Sequence, residues 1–313
     1  MIKPKHYPFS YHKGMKLVRF EPKNKMFTEI KRLFAEHKLT ETDTILLNAL
    51  CKYEYLNTFL IRTLLEQNLN PCTQSFINKR LSFLESKGLV QRFYFQYTDT
   101  EGKQHNTPFI YEATYRTKQL FLKKVKVVPN LDVVTTILRQ ISFNQFHIFL
   151  EKQMAEALKF SVAHFNDKSD GTYRFLSHGK PASFYVFSIR SEDNWNKAFL
   201  NRLRSLLEYM KTNNLTCSGI IIICENEMQS LTAEQYRKSA SECTNAPIYY
   251  ICDYAAVAEG HILEHLIYVK PDKNYTSYDI IRVPIDGKIL CNEQEHTPSP
   301  FITEHTTDIH ESL

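Results

Sequence analysis

Between Thr73 and Thr98 the apolar repeat changes once, from a helical period to a strand period, with Gly88 at the change. Ile77, Leu81 and Leu84 recur at spacings of four and three, the single stripe of an amphipathic helix. From Leu89 to Tyr97 apolar and polar residues alternate, and aromatic and β-branched side chains dominate, as in a half-buried strand. Glycine between the two supplies the left-handed backbone on which helices commonly stop. A helix that ends on glycine and feeds a strand directly restricts what the flanking segments can be.

Those segments fill in a definite order. Thr40 to Tyr53 carries acids in its first turn and repeats Ile45, Leu46, Ala49 and Leu50 on one face, the pattern of a helix. Leu56 to Glu66 reads as a second helix with Leu56, Leu60 and Leu64 inward. Asn68 to Cys72 is a turn containing Pro71, after which Thr73 is placed to cap the third helix. Asp99 to Gly102 is a turn, Thr107 to Thr114 a returning strand and Tyr115 to Val125 a helix. Helix, helix, helix, strand, turn, strand is the order of a winged helix-turn-helix, here expected over residues 40–126. Ahead of it, residues 1–39 read as a basic arm bearing Tyr7, Phe9, Tyr11 and Phe20, followed by an amphipathic helix from Met26.

Charge is unevenly spread. The net +5 of the chain conceals twenty-two Lys and Arg against eleven Asp and Glu in residues 1–126, while 291–313 holds five acids and no Lys or Arg. A basic front half points to a polyanion, with double-stranded DNA as the expected partner. The seven cysteines form no CxxC pair and the twelve histidines are dispersed, so no metal, cofactor or disulfide framework is expected. Since no apolar run approaches the roughly 20 residues of a membrane span, the expected location is the cytoplasm, without membrane association.

The third helix of such a unit enters the major groove. With its apolar stripe inward, Thr73, Gln74, Ser75, Asn78, Lys79 and Ser82 remain outside, and Arg80 stands beside them within expected reach of a phosphate. Gln74 and Asn78 offer the paired hydrogen bonds that adenine accepts, and Lys79 can reach guanine or a phosphate. In the wing, Lys103, Gln104 and His105 are further expected contacts, opposed by the acids Asp99 and Glu101 at the tip.

Residues 127–290 alternate helix and strand. Helix is expected at Leu131–Leu158, strands at Lys159–Phe165, Thr172–Ser177 and Ser183–Arg190, and a helix at Trp195–Lys211. A buried strand at Gly219–Cys224, a helix at Leu231–Ser241 and strands at Pro247–Cys252 and Ile262–Val269 follow, with a hairpin around Asp286-Gly287. This is an α/β domain resembling a restriction-endonuclease-like core. Such a core holds a metal between an Asp near its second strand and a Glu-x-Lys on its third. The third strand here offers Ser188-Ile189-Arg190. Serine cannot replace the carboxylate, Asp167 and Asp170 read as a turn with Gly171, and Glu192 and Asp193 read as the start of a helix. No GxSxG, GxxxxGK[ST] or GxGxxG occurs. No catalytic residue is therefore assigned, and a chain that is not an enzyme is expected.

Ile45-Leu46-Leu47, followed by Arg80-Leu81-x-Phe83-Leu84-Glu85-x-Lys87-Gly88-Leu89-Val90-x-Arg92, resembles the winged helix of plasmid replication-relaxation proteins. Arg139-Gln140-Ile141-Ser142-Phe143-Asn144 takes the place of a helix start that begins with histidine in that family, and Phe187 to Tyr209 resembles a strand and helix of its second domain. The resemblance implies a role in plasmid replication, DNA relaxation or transfer; the absent strand acids depart from it. Four segments result: arm and helix 1–39, winged helix 40–126, a non-catalytic α/β domain 127–290 for dimerisation or a protein partner, and an acidic, disordered tail 291–313. The expected function is sequence-specific duplex binding in transcriptional regulation or in replication and maintenance of a mobile element, with a homodimer as the binding species. The alternatives are a metal-dependent nuclease and a protein-interaction module that touches no DNA.

Overall fold

A computed structural model describes residues 9–21, 25–68, 72–122, 133–154, 169–177, 180–240, 246–253, 262–271 and 278–282. The expected strand 159–165, the hairpin at 286–287 and the tail 291–313 lie outside these residues. The chain is a mixed α+β protein with two separate sheets. It divides into two compact units, one of residues 8–148 and the other taking the chain from 149 onward. That division falls inside a helix, later than the 126/127 boundary read from the sequence.

In the first unit, β1 (Lys16–Arg19) and α1 (Phe27–Ala35) precede α2 (Glu41–Tyr53). Thr40 and Asp43 start α2 reciprocally: the Asp43 N–H donates to Thr40 Oγ1 at 3.3 Å and the Thr40 N–H to Asp43 Oδ2 at 2.8 Å. The next two residues differ from expectation. Leu56–Asn57 is a short strand, β2, and Asn57 Oδ1 accepts from the Leu60 N–H at 2.8 Å, so that α3 (Thr58–Asn68) begins after it. An apolar residue one turn ahead of a helix fits the helical stripe as well as a strand does, so periodicity alone does not separate the two at Leu56.

Thr73 caps α4 (Gln74–Ser86) as expected. Gly88 adopts φ +71°, its N–H bonding to Glu85 O and that of Leu89 to Leu84 O, the paired bonds that close a helix on a left-handed residue. β3 (Val90–Thr98), β4 (Gln104–Asn106) and β5 (Ile110–Ala113) follow, then α5 (Tyr115–Phe121). The sheet order is β1-β3-β5-β2, with β4 also on β3. The basic arm thus contributes a strand, because β1 pairs antiparallel with β3 from Lys16↔Gln96 to Arg19↔Phe93. α6 (Val133–Met154) sends Asn144 Nδ2 to the carbonyls of Tyr53 and Tyr55 at 2.8 and 2.9 Å, tying its middle to the end of α2.

Glu112 of β5 is buried beside Arg19, which donates to it at 2.5 Å. Burial raises its carboxyl pKa above 4.5 more than Arg19 lowers it. The folded state therefore holds this proton more tightly than the unfolded chain does. Its charged form costs stability above the raised pKa, and that cost is relieved as pH falls toward 4.5. Glu112→Gln should remove this component, read as a flatter pH profile of the urea midpoint.

The second unit holds β6 (Gly171–Ser177), β7 (Lys180–Ser188), α7 (Trp195–Thr212), β8 (Gly219–Cys224), α8 (Glu227–Ser239), β9 (Ile248–Cys252), β10 (Ile267–Pro271) and β11 (Tyr278–Arg282). A short 3-10 helix, Ile262–His265, precedes β10 where a strand start was expected. The strands lie in sequence order across one sheet. β6 and β7 form an antiparallel hairpin, whereas β7, β8 and β9 run parallel, joined through α7 and α8. Phe199, Leu203 and Leu206 of α7 and Ala233 of α8 pack with Phe187, Ile222 and Tyr250 in one core, so both helices cover the same sheet face. On the other face, a Cβ at Gly219 would lie 2.8 Å from the Tyr249 ring and 2.9 Å from that of Phe184. Gly219→Ala should therefore destabilise this unit by about 1–3 kcal/mol, the usual cost of overpacking, measured by urea unfolding.

Candidate nucleic-acid interface

The outward side of α4 follows from its register. Ile77, Leu81 and Leu84 are buried, while Thr73, Gln74, Ser75, Asn78, Lys79 and Ser82 are exposed, with no acid in the first turn. These six positions are brought to one surface. Gln74 Nε2 donates to Asn78 Oδ1 at 3.0 Å, so as placed neither amide presents both its polar atoms outward. Phe76, on the flank of the helix beyond Lys79, is 40% exposed. The sequence placed it beside the buried stripe, since a large apolar residue next to Ile77 gives no sign of facing solvent.

Arg80 departs from expectation. Its Nε donates to Asp43 Oδ1 at 2.8 Å and its Nη2 to Asp43 Oδ2, while the guanidinium lies 4.7 Å from the Phe83 ring centre. Asp43 is fully buried. Hydrogen bonding to this carboxylate raises the arginine pKa against a smaller effect of burial. Arg80 thus braces α4 against the start of α2, where the sequence suggested only an outward side chain. Thr40-x-x-Asp43 is legible as a cap, but a partner thirty-seven residues further on is not.

The turn between β3 and β4 also differs from expectation. Asp99 Oδ1 accepts the N–H groups of Glu101 and Lys103 at 2.9 and 2.8 Å, and Asp99 Oδ2 lies 2.6 Å from His105 Nε2. These contacts, His105 first, lower the Asp99 pKa. His105 also lies against Tyr97, with ring centres 5.4 Å apart, and His12 stacks on Tyr97 at 3.8 Å. His105 is therefore braced by Asp99 and Tyr97, and Asp99, expected both in the turn and as an opposing charge, also organises the backbone of that turn. Lys103 and Gln104 are exposed at this turn.

In the second unit, polar groups gather where the parallel strands end. Asp170 faces Ser188 across the β6–β7 hairpin, its Oδ2 accepting the Ser188 N–H at 2.6 Å and hydroxyl at 3.2 Å. Arg202 of α7 donates to Asp170 Oδ1 and to the Ser188 carbonyl, both at 2.7 Å. Asp170 is thus a tie between β6, β7 and α7, more than the turn residue expected; Asp167 lies outside the described residues. Arg190 is fully buried and donates to Asp253 Oδ1 at 3.1 Å and to the Ile189 carbonyl at 2.7 Å. Ser191 donates to Glu225 Oε2 at 2.5 Å and accepts from Gln229 Nε2 at 3.1 Å. Glu192, read as a helix-start acid, is buried, and its carbonyl accepts from the Trp195 N–H. Among the described residues no group of three His, Cys, Asp or Glu is placed to hold a metal ion.

No protein-family model and no curated protein matches the chain, so the resemblance to plasmid replication-relaxation proteins finds no support there. Among solved structures the chain is similar to the restriction endonuclease FokI, with 12% identity over 69% of this chain and a TM-score of 0.29. The match spans 42% of that protein. The expectation that the chain is not an enzyme is withdrawn against this match to a restriction endonuclease. At that TM-score the likeness carries no argument about a reaction. Among the described residues no helix is long and apolar enough to cross a membrane.

Proposed function

We propose that α2 to β5 is a winged helix-turn-helix that binds double-stranded DNA, with α4 in the major groove. The observation that carries this reading is the outward face of α4: five uncharged polar side chains and one lysine, free of acids in the first turn, on a helix locked to α2 by Arg80 and Asp43. Lys79 would reach a guanine or phosphate, Gln74 and Asn78 an adenine, and Phe76 the methyl of thymine. A homodimer would set two such helices about 34 Å apart on a palindrome. Regulation of transcription, or replication and maintenance of a plasmid or other mobile element, is the role proposed for such binding.

Selection of bound duplexes from a random pool tests the reading. Enrichment of one short site is expected, with Asn78→Ala relaxing discrimination at one base pair by about 1–3 kcal/mol. No enrichment, or an unchanged preference in Asn78→Ala, would count against it. A palindromic site supports the dimer, and its genomic neighbours, promoters or origins, distinguish the processes.

A second reading, cleavage of the bound DNA by the second unit, is favoured by Asp170 set against Ser188 and Arg202 beside an antiparallel hairpin followed by a helix and a parallel strand. Magnesium-dependent nicking of plasmid DNA that disappears in Asp170→Asn would establish it. Intact plasmid after prolonged incubation with magnesium or manganese would remove it.

A further inference from the structure

The sheet of the first unit has a second face, turned away from buried Phe93, Phe95 and Ile110. Strand register places Lys16 and Gln96 together on it, then Val18 with Tyr94, and Arg92 with Tyr111. Phe20, just past β1, and Phe109, just ahead of β5, complete the set. Phe20, Tyr94 and Phe109 form a triangle of rings with centres 6.0, 5.8 and 5.9 Å apart. The Arg92 guanidinium lies 4.7 Å from the centre of Phe20 and 4.9 Å from that of Phe109. Phe109 is 39% exposed, Phe20, Tyr94 and Arg92 are half-buried, and Lys16 and Asn106 are exposed. Gln96 Nε2 donates to Asn106 Oδ1 at 3.3 Å, setting two amides at the rim. Glu85 brings a carboxylate to this face, 3.1 Å from Arg92.

We propose that this ring-and-guanidinium face of the β1-β3-β5 sheet is a second nucleic-acid site, which takes unpaired bases of a single strand. Three features favour that occupant. Rings and a stacked guanidinium offer flat surfaces that bind the faces of bases whatever the sequence. Lys16 and the two amides supply a phosphate contact and hydrogen bonds at the rim. Residues 1–126 carry an excess of eleven positive charges, suited to a polyanion and unsuited to a purely apolar partner. A duplex keeps its base faces covered, so this surface would not compete with α4 for it. The site stands apart from the α4 reading and can hold if that reading fails.

The test uses the full chain and fluorescence anisotropy with twelve-nucleotide oligothymidylate, oligouridylate and a mixed-sequence duplex at low salt. Both single strands should bind. Phe109→Ala, an exposed position, should weaken them about tenfold, the usual effect of losing one stacking ring, and leave the duplex unchanged. Phe109→Trp should restore single-strand binding, and unchanged thermal unfolding of both variants keeps the comparison to the surface. Lys79→Ala should spare the single strands. A preference between the thymidylate and uridylate arms assigns the strand to DNA or RNA. No single-strand binding by the intact chain, equal binding by Phe109→Ala, or loss in Lys79→Ala as large as in Phe109→Ala would overturn the proposal.

Discussion

Arg190→Met is expected to destabilise the second unit by about 3–5 kcal/mol, the cost of removing one partner from a buried ion pair. Arg190 and Asp253 have fully buried side chains, 3.1 Å apart, at the ends of β7 and β9. Without the guanidinium, the Asp253 carboxylate must keep its charge in a poorly polarisable site or take up a proton, and either costs free energy. A domain of ordinary stability holds only about 5–15 kcal/mol in all. The double variant Arg190→Met with Asp253→Leu should recover most of the loss, since an apolar pair of similar volume carries no desolvation penalty. Denaturant unfolding of the four proteins gives the coupling energy directly. A single variant within 1 kcal/mol of the parent would show that the pair has little structural weight.

Asp43→Ala should cost the first unit about 3 kcal/mol. About 1 comes from the lost helix cap, and about 2 from the pair of charged hydrogen bonds to Arg80, less than the sum of two isolated ones of about 1.5–3 each. The total stays below that of the buried pair in the second unit because the Arg80 side chain is 22% exposed and can turn into water. Removing this carboxylate also frees the brace between α4 and α2, so duplex affinity should fall although Asp43 lies away from the outward face. Asp43→Asn, which keeps an oxygen for the cap, should lose less stability than Asp43→Ala. Far-UV circular dichroism in urea and duplex titration at matched salt read the two effects.

Local signals in the sequence located most of the elements. Thr73, Gly88 and Gly102 mark a cap, a stop and a turn by residue type alone, and each stands where its chemistry implies. The alternation in Leu89–Tyr97 and the short apolar run at Gly219–Cys224 became β3 and β8. The failures concern pairing over long separations. Lys16–Arg19 has no clear period, and it becomes a strand only because β3 offers an edge. Arg80 looks like any outward arginine until a buried Asp43 is placed beside it. His105 and Asp99, six residues apart, meet only once the turn has formed. The aromatic face is invisible in one dimension, since Phe20, Tyr94 and Phe109 are brought together by register. For the second unit, the strand and helix segments were legible, but nothing local reveals that Asp170 is held by Ser188 and Arg202.

The central claim is that the outward face of α4 binds duplex DNA, and its most direct test is the salt dependence of duplex affinity in the intact chain and in Lys79→Ala. The affinity of the intact chain should fall steeply between about 50 and 200 mM salt, as displaced counterions require. Lys79→Ala should bind more weakly and reduce the slope of log affinity against log salt by about one. Identical slopes, or no duplex binding at the lowest salt, would contradict the account.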